Sequence, residues 1–247
     1  MDKEMIKEVA FGVNNRGNFQ SRDELWDLQG TDTDLFVSLY DYDESVLEYY
    51  TKKGSLSGFD GLIYMPEEFI LDVDGSSIRD ARDKLYGLVS ILDDLNIYYR
   101  VYFSGTGFHL GVHKSAFKWE PSPNLHIRVK EELTKAGIFE FADPSVTDKT
   151  RIIRLINTKN TKSGLYKVCI EDNLSILSSK DEVFKEELIK LASNPRNIDY
   201  EDIEMNKPIF DVLDKEKPKE KPKVKIRDKR DPVATTCIQK MLDGAPH

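Results

Sequence analysis

Cysteine is scarce in this sequence of 247 residues, which has only Cys169 and Cys237. Two cysteines so far apart argue against a disulfide framework and, on these residues alone, against a complete structural zinc site. No run approaches the roughly 18 apolar residues that a membrane span needs. The first residues, MDKEMIKEVAF, mix acids with lysines and lack the apolar segment of a secretory signal. We therefore expect a soluble, cytoplasmic protein with no membrane partner.

An excess of basic residues is also missing. Lys and Arg number 36 against 44 Asp and Glu, and the formal net charge is −8. A strongly basic balance would have indicated nucleic-acid binding, but the charge of a whole chain says little about one groove. With 39% hydrophobic and 32% charged residues, the composition is that of a globular chain with a real core. It neither supports nor excludes a nucleic-acid partner.

Composition divides the chain into three parts. Residues 1–205 have the mixture of apolar and polar residues that one compact domain needs. Residues 206–231 include DKEKPKEKPKVKIRDKRD, which has too few apolar side chains to fold and is predicted to be a charged flexible linker. Residues 232–247 start a new apolar pattern, and we interpret them as the start of a truncated C-terminal module.

Within residues 1–205, short apolar runs alternate with patterns of helical spacing, which predicts an α/β or α+β fold. We predict strands at residues 35–43, 68–73, 98–104, 108–112, 151–156 and 165–170, with the last two paired around a polar turn. We predict helices at residues 21–28, 78–95 and 123–136, the second of them capped by Ser76 or Ser77.

Two aspartates one residue apart end the strand predicted at residues 68–73. Because side chains alternate along a strand, Asp72 and Asp74 share one face, and their carboxylates repel each other unless a cation lies between them. Carboxylate oxygens on a rigid strand suit Mg²⁺ or Mn²⁺. The simpler interpretation is a solvated turn formed by Asp74 and Gly75. The motif alone does not decide between the two.

A glycine-rich turn, SGTGFH at residues 104–109, joins the next two predicted strands. Gly105 and Gly107 let the backbone approach a ligand and can point N–H groups at phosphate oxygens. His109 lies on the strand face opposite to Phe108 and can donate a hydrogen bond to a phosphate. Taken alone, this motif is more often an ordinary hairpin turn followed by a structural histidine.

An acid precedes a basic strand in the segment that begins at Asp143. Arg151 and Arg154 are three residues apart, so on a strand their side chains face opposite sides. We therefore expect them to have different roles. Lys159 and Lys162 lie in a polar turn from which ammonium groups can reach a triphosphate. Taken alone, this motif is also typical of a charged hairpin tip.

In this order the three motifs resemble the archaeo-eukaryotic primase superfamily, and most of all its primase-polymerase (PrimPol) branch of phages, plasmids and CRISPR-associated proteins. The shared pattern is a strand ending in DxD, an amphipathic helix, a strand with SGxGxH, a helix, and an acid followed by R..R and lysines. It covers residues 69–167 well and the N-terminal segment loosely. The resemblance implies an N-terminal α/β subdomain packed on an RRM-like subdomain that carries the active site.

The resemblance also implies roles for individual residues. The catalytic acids that would bind two Mg²⁺ or Mn²⁺ ions are Asp72, Asp74 and Asp143. Asp148 competes for the third role, but Asp143 lies eight residues before the first arginine of the motif, as the family's acid does. The nucleotide-binding residues implied are Ser104, Gly105, Gly107, His109, Arg151, Arg154 and Lys162.

By this resemblance, residues 1–205 would be a primase-polymerase catalytic domain, a template-dependent nucleotidyltransferase that acts as DNA primase and DNA or RNA polymerase. The implied partners are a single-stranded DNA template, a primer-template, dNTPs or NTPs, and a helicase or other C-terminal domains in a longer protein. Relatives often carry Lys or Arg in place of Thr106, so one triphosphate contact is missing or comes from Lys159 or Lys162. The zinc-binding stem of cellular primases is not visible in the sequence.

Two alternatives remain from other classes. The run FILDVDGSS also resembles the first motif of haloacid-dehalogenase-type phosphatases, in which Asp72 would be the nucleophile and Asp74 a general acid. That motif usually opens its fold, whereas about 70 residues precede it here. The second alternative is an inactive nucleic-acid-binding module, which would have no use for mutually repelling carboxylates.

Overall fold

The computed structural model describes residues 4–117, 119–170 and 177–195. Over these ranges the strands are β1 (Ile6–Phe11), β2 (Asn18–Ser21), β3 (Leu35–Ser38), β4 (Asp41–Tyr42), β5 (Ile63–Tyr64), β6 (Glu68–Val73), β7 (Tyr99–Phe103), β8 (Phe108–His113), β9 (Ile152–Arg154), β10 (Lys159–Asn160), β11 (Leu165–Tyr166) and β12 (Val168–Cys169). The α-helices are α1 (Ser45–Lys53), α2 (Ile78–Asp94), α3 (Leu125–Lys135) and α4 (Asp181–Ala192). Short 3₁₀ helices cover Asp23–Leu28, Lys114–Ala116, Ile138–Glu140 and Pro144–Thr147. The predicted linker and C-terminal module lie outside the described residues.

Two larger sheets carry most of these strands, and every strand pairing in them is antiparallel. The first sheet has the order β5-β4-β1-β3-β9, with β2 also paired to β1. The second sheet has the order β12-β7-β8-β6, and β10 and β11 form a separate hairpin. Helices combined with antiparallel sheets are an α+β arrangement, so the mixed fold class predicted from the sequence is confirmed. Among the helices of the described ranges, none has the length and apolar content needed to cross a bilayer.

The second sheet is built as a split β-α-β unit. Both β6 and β7 pair with β8 in antiparallel fashion, so they run parallel to each other, and α2 connects them. The hydroxyl of Ser77 accepts a hydrogen bond from the N–H of Asp80, which caps α2 at the predicted position. Leu85 and Leu88 of α2 are fully buried. The strands, the helix and its cap were therefore predicted correctly from the sequence, and the structure adds how the strands pair.

The two faces of the second sheet differ because side chains alternate along each strand. One face is apolar and lies in the core, where Phe108 packs against Phe184 of α4 with ring centroids 6.3 Å apart. The opposite face, here called the polar face, carries Glu68, Ile70, Asp72, Arg100, Tyr102, His109, Gly111 and His113. In the β6–β8 register, Asp72 lies directly opposite His109.

One predicted strand pair is wrong. Residues 151–156 do not pair with residues 165–170: β9 joins β3 in the first sheet, and β12 joins β7 in the second. The polar turn between them forms the β10–β11 hairpin instead. The physical reason is that both sheets offer an unpaired strand edge, and the segment crosses from one sheet to the other to satisfy both.

Two N-terminal predictions also need correction. The helix predicted at residues 21–28 is the 3₁₀ helix Asp23–Leu28, whose N-cap, Arg22, gives no side-chain hydrogen bond to the helix. The strand predicted at residues 35–43 is divided into β3 and β4, because its register against β1 shifts by two residues between Val37, which lies opposite Val9, and Tyr42, which lies opposite Ile6. The predicted helix at residues 123–136 is confirmed as α3.

Candidate functional site

Asp72 is the centre of the candidate site. It lies near the end of β6 on the polar face and is only 7% exposed. Its Oδ2 accepts a hydrogen bond from Nη2 of Arg151 at 2.9 Å, and its Oδ1 lies 3.6 Å from Nε2 of His109. Burial and the neighbouring charge of Asp74 raise the pKa of Asp72 to about 6, against the opposing effect of Arg151. Further positive charge at this carboxylate would therefore stabilise its ionised form.

Asp143 reaches Asp72 from a distant part of the chain. The N–H of Asp143 donates to the carbonyl oxygen of Asp72 at 2.8 Å. The two carboxylate oxygens of Asp143 accept hydrogen bonds from the N–H and hydroxyl of Ser145 at 2.9 and 2.5 Å. Partial burial is the largest single influence and acts against ionisation, but the two hydrogen bonds from Ser145 and the charge of Arg151 together outweigh it and lower the pKa of Asp143. The rival acid, Asp148, is exposed and contributes a backbone carbonyl to Arg151.

Asp74 lies just beyond the end of β6, where it is exposed. The turn carrying Gly107 passes directly beside it: a Cβ on Gly107 would lie 2.8 Å from Oδ1 of Asp74 and 3.0 Å from the carbonyl oxygen of Val73. Only glycine permits this approach without displacement. The charge of Asp74 is close enough to raise the pKa of Asp72, so the three predicted acids influence one position.

Gly107→Ala is expected to lower the free energy of unfolding by about 1–2 kcal/mol, because the added methyl group overpacks the contact with Asp74 and Val73. It should also lower the pKa of Asp72, since the carboxylate of Asp74 is pushed away. Urea denaturation and an NMR titration of Asp72 measure the two effects. Thr106→Ala changes an exposed residue of the same turn and is the matched control. Wild-type values for both quantities in Gly107→Ala would contradict the packing described here.

His109 is buried on β8 with an unused polar atom. Its side chain is 6% exposed, and its Nδ1 has no hydrogen-bond partner in the described part of the chain. Burial, followed by the charges of Lys167 and Arg154, lowers the pKa of His109 well below its usual value. A neutral imidazole has one donor and one acceptor nitrogen. A buried polar atom without a partner calls for an explanation, such as a catalytic role or a bound water or ion.

The glycine-rich turn is closed by its own hydrogen bonds. The N–H of Gly107 donates to the hydroxyl of Ser104 at 3.1 Å, and the N–H of Ser104 donates to the carbonyl of Gly107 at 3.0 Å. Gly105 has a φ of +96°, and a Cβ there would lie 2.8 Å from Oγ of Ser163. The N–H of Gly107, predicted to point at a phosphate, is therefore engaged within the turn. The turn shapes the site by bringing Gly107 against Asp74.

The predicted basic residues separate into two groups. Arg151 lies between the acids: its Nη2 is 3.5 Å from Oδ2 of Asp143, and its Nη1 donates to Oγ of Ser145 at 2.9 Å. Arg154 points elsewhere, to the carboxylate of Asp34, with its guanidinium 4.7 Å from the ring centroid of Phe36. This confirms that the two arginines face opposite sides. Lys162 is exposed in the β10–β11 hairpin turn.

Lys167 was missed in the sequence although it is buried beside the site. It is 3% exposed, and its Nζ donates to the carbonyl of Arg154 at 2.9 Å and lies 5.0 Å from the ring centroid of Tyr102. Burial lowers the pKa of Lys167 to about 8, although the charges of Glu68 and Asp72 oppose this. The available signal was a lysine inside the apolar run LYKVCI, because a charged residue in such a run is buried only with partners.

The acids fit a divalent cation by the chemistry of their donor atoms. In the ranges described, no group of three His, Cys, Asp or Glu side chains is arranged to hold a metal ion. Asp72 and Asp143 are bridged by the guanidinium of Arg151 instead. Burial is the main cause of the raised pKa of Asp72, and the negative charges of Asp74 and Asp143 add to it. Hard carboxylate oxygens under such mutual repulsion are suitable ligands for Mg²⁺ or Mn²⁺.

Comparison of the chain with protein-family models, with curated proteins and with solved structures gives no match in any of the three.

Proposed function

We propose that this protein is a template-dependent nucleotidyltransferase of the primase-polymerase type, which uses two Mg²⁺ or Mn²⁺ ions to join nucleoside triphosphates. One observation carries the proposal: Asp72 and Asp143, 71 residues apart in the sequence, meet at one point opposite the buried His109. The motif order and this convergence together support the resemblance to the archaeo-eukaryotic primase superfamily. In this proposal the second sheet with α2 is the RRM-like subdomain.

The position of each residue determines its proposed role. Asp72, Asp74 and Asp143 would hold the metal ions, which supply activation of the 3′-hydroxyl and neutralisation of the triphosphate. In the reaction the 3′-oxygen bonds to the α-phosphorus, the bond from that phosphorus to the β-phosphate oxygen breaks, and pyrophosphate leaves. His109, neutral and with Nδ1 unused, would donate a hydrogen bond to a phosphate oxygen.

The basic residues would act on the triphosphate at different distances. Arg151 already contacts both acids and would exchange part of this contact for a phosphate. Lys162 is exposed at a turn and can reach outward to the β- and γ-phosphates. Arg154, which pairs with Asp34, would support the site through packing and through its charge near His109.

The testing experiment is incubation of the full chain with a primed and an unprimed single-stranded DNA template, Mg²⁺ or Mn²⁺, and labelled dNTPs or NTPs. We expect template-directed incorporation that stops when the metal is chelated. Hydrolysis of a generic phosphomonoester without incorporation would favour the haloacid-dehalogenase alternative. Binding of primer-template with no incorporation at any metal concentration would favour an inactive binding module. Either result would contradict the proposal.

A further inference from the structure

The β10–β11 hairpin, whose turn carries Lys162, belongs to neither of the two larger sheets. Each of its strands has only two residues, Lys159–Asn160 and Leu165–Tyr166. An isolated two-stranded hairpin is at best marginally stable in water. The position of Lys162 therefore depends on contacts that the hairpin makes with the rest of the domain.

The glycine-rich turn provides one of these contacts. Asn160 is 6% exposed, and its Nδ2 donates a hydrogen bond to the carbonyl oxygen of Ser104 at 3.3 Å. Its Oδ1 accepts a hydrogen bond from the N–H of Lys162 at 3.1 Å. Because Gly107 of the same glycine-rich turn lies against Asp74, these bonds connect the backbone of Lys162 to the position of Asp74.

Asp34 provides a second contact from the residue directly before β3. Its carboxylate accepts hydrogen bonds from the hydroxyl of Thr161 and, at 3.3 Å, from the N–H of Thr161. Thr161 directly precedes Lys162 in the sequence. The carbonyl oxygen of Asp34 accepts a hydrogen bond from the N–H of Gly12 at 2.7 Å. Asp34 therefore joins the turn that carries Lys162 to the first sheet.

Arg154 completes this attachment. It forms an ion pair with the carboxylate of Asp34, and its Nη1 donates a hydrogen bond to the carbonyl oxygen of Lys159 at 3.1 Å. Partial burial is the largest single influence on Asp34 and acts against its ionisation. The hydrogen bonds from Thr161 and Arg154 and the charge of Arg154 together outweigh burial and lower the pKa of Asp34. The carboxylate is therefore ionised while it holds Thr161.

The sign of its charge restricts what Asp34 can contribute. A carboxylate two residues from the contacts of Lys162 would repel the phosphates of a nucleotide rather than attract them. Its pairing with Arg154 reduces this repulsion. An acid at this place favours the binding of an anion only through the position that it gives to Lys162.

We infer that Asp34 is a positioning residue, which acts through Thr161 to hold the hairpin turn where Lys162 can reach the phosphates of a nucleoside triphosphate. The choice of this ligand rests on the proposed function. The contacts of Asp34 with Thr161 and Arg154 do not depend on it.

The test measures binding of α,β-methylene dATP, an analogue that cannot be incorporated, to the full chain with Mg²⁺ by isothermal titration calorimetry. Lys162→Ala is expected to weaken binding by about 10-fold, the equivalent of one charge-assisted hydrogen bond at an exposed position. Asp34→Ala is expected to weaken it by about 3- to 10-fold, because the turn loses its attachment. Removal of an acid would by itself strengthen the binding of an anion, so weaker binding reports the loss of position.

The double variant separates positioning from a general loss of structure. If Asp34 acts through Lys162, the variant with both substitutions should bind the analogue about as weakly as Lys162→Ala alone. Thr161→Val keeps the size of the side chain and removes only its hydroxyl, so it should weaken binding even if Asp34→Ala does not fold. Asp27→Ala makes the same change as Asp34→Ala on an exposed acid and should leave the affinity unchanged. Thermal melting shows whether each variant is folded.

The outcomes distinguish this inference from the proposed function. Unchanged affinity in folded Asp34→Ala overturns the inference, even if the wild-type protein incorporates nucleotides. An equal loss from Asp34→Ala in the presence and absence of Lys162 also overturns it, and so does a wild-type protein that does not bind the analogue. Affinity that depends on Asp34 only when Lys162 is present, in a protein that incorporates nothing, supports the inference and contradicts the proposed function.

Discussion

Asp72→Asn is expected to lower the rate of template-directed nucleotide incorporation by about 10³-fold. Asparagine preserves the size of the side chain and can still accept a hydrogen bond from Arg151. It removes the negative charge that a divalent cation needs at this position. Metal-ion catalysis supplies several kcal/mol of stabilisation to the transition state, and a loss of about 4 kcal/mol corresponds to this factor.

Asp143 and Asp148 form a matched pair for the same assay. Asp143→Asn is expected to reduce incorporation strongly, since Asp143 lies beside Asp72 and shares the guanidinium of Arg151 with it. Asp148→Asn makes the same chemical change on an exposed side chain and should keep wild-type activity. Thermal melting shows whether each variant is folded. Wild-type incorporation by Asp72→Asn, or equal losses in the other two variants, would contradict the assignment of the acids.

Local patterns were sufficient to predict the elements that carry the first two motifs. The apolar run of β6, the period of α2 and its cap at Ser77 all depend on near neighbours in the sequence. Alternation along a strand also predicted that His109 would lie on the face opposite to Phe108. These inferences need no knowledge of which strands pair.

Relations between distant segments were not predictable in this way. The crossing of residues 151–170 from the first sheet to the second depends on which strand edges are open, and no local pattern encodes that. The burial of Lys167 is a consequence of the same crossing. The meeting of Asp143 with Asp72 was implied by the family resemblance, and a tertiary hydrogen bond between their backbones fixes it in the structure.

Asp72→Asn is also expected to stabilise the protein at pH 7, by about 2–3 kcal/mol in the free energy of unfolding. The pKa of Asp72 is raised from 3.8 to about 6, mainly by burial and then by Asp74. A difference of about two pKa units corresponds to about 3 kcal/mol that the folded state loses when this carboxyl ionises. Asparagine is neutral at every pH and avoids this cost.

The direction of the pKa shift of Asp72 determines the pH range in which Asp72→Asn is more stable than wild type. Between about pH 4 and pH 6 the folded protein holds a proton on Asp72 that the unfolded chain has released, so this group makes stability fall as pH rises. Below pH 4 the carboxyl is protonated in both states, and the variant should gain nothing. Above pH 6 it is ionised in both states, and the full gain should be present.

Urea denaturation at pH 4 and pH 7 measures the difference in the free energy of unfolding between wild type and Asp72→Asn. Comparing the two proteins at the same pH cancels the contributions of other titratable groups to first order. Asp83→Asn, which changes an exposed acid of α2, should shift stability by less than about 0.5 kcal/mol at both pH values. Lower stability of Asp72→Asn than of wild type at pH 7 would show that the ion pair with Arg151 outweighs burial. A variant that is more stable and inactive would instead show that the protein keeps Asp72 ionised at a cost to folding, as expected of a group retained for chemistry.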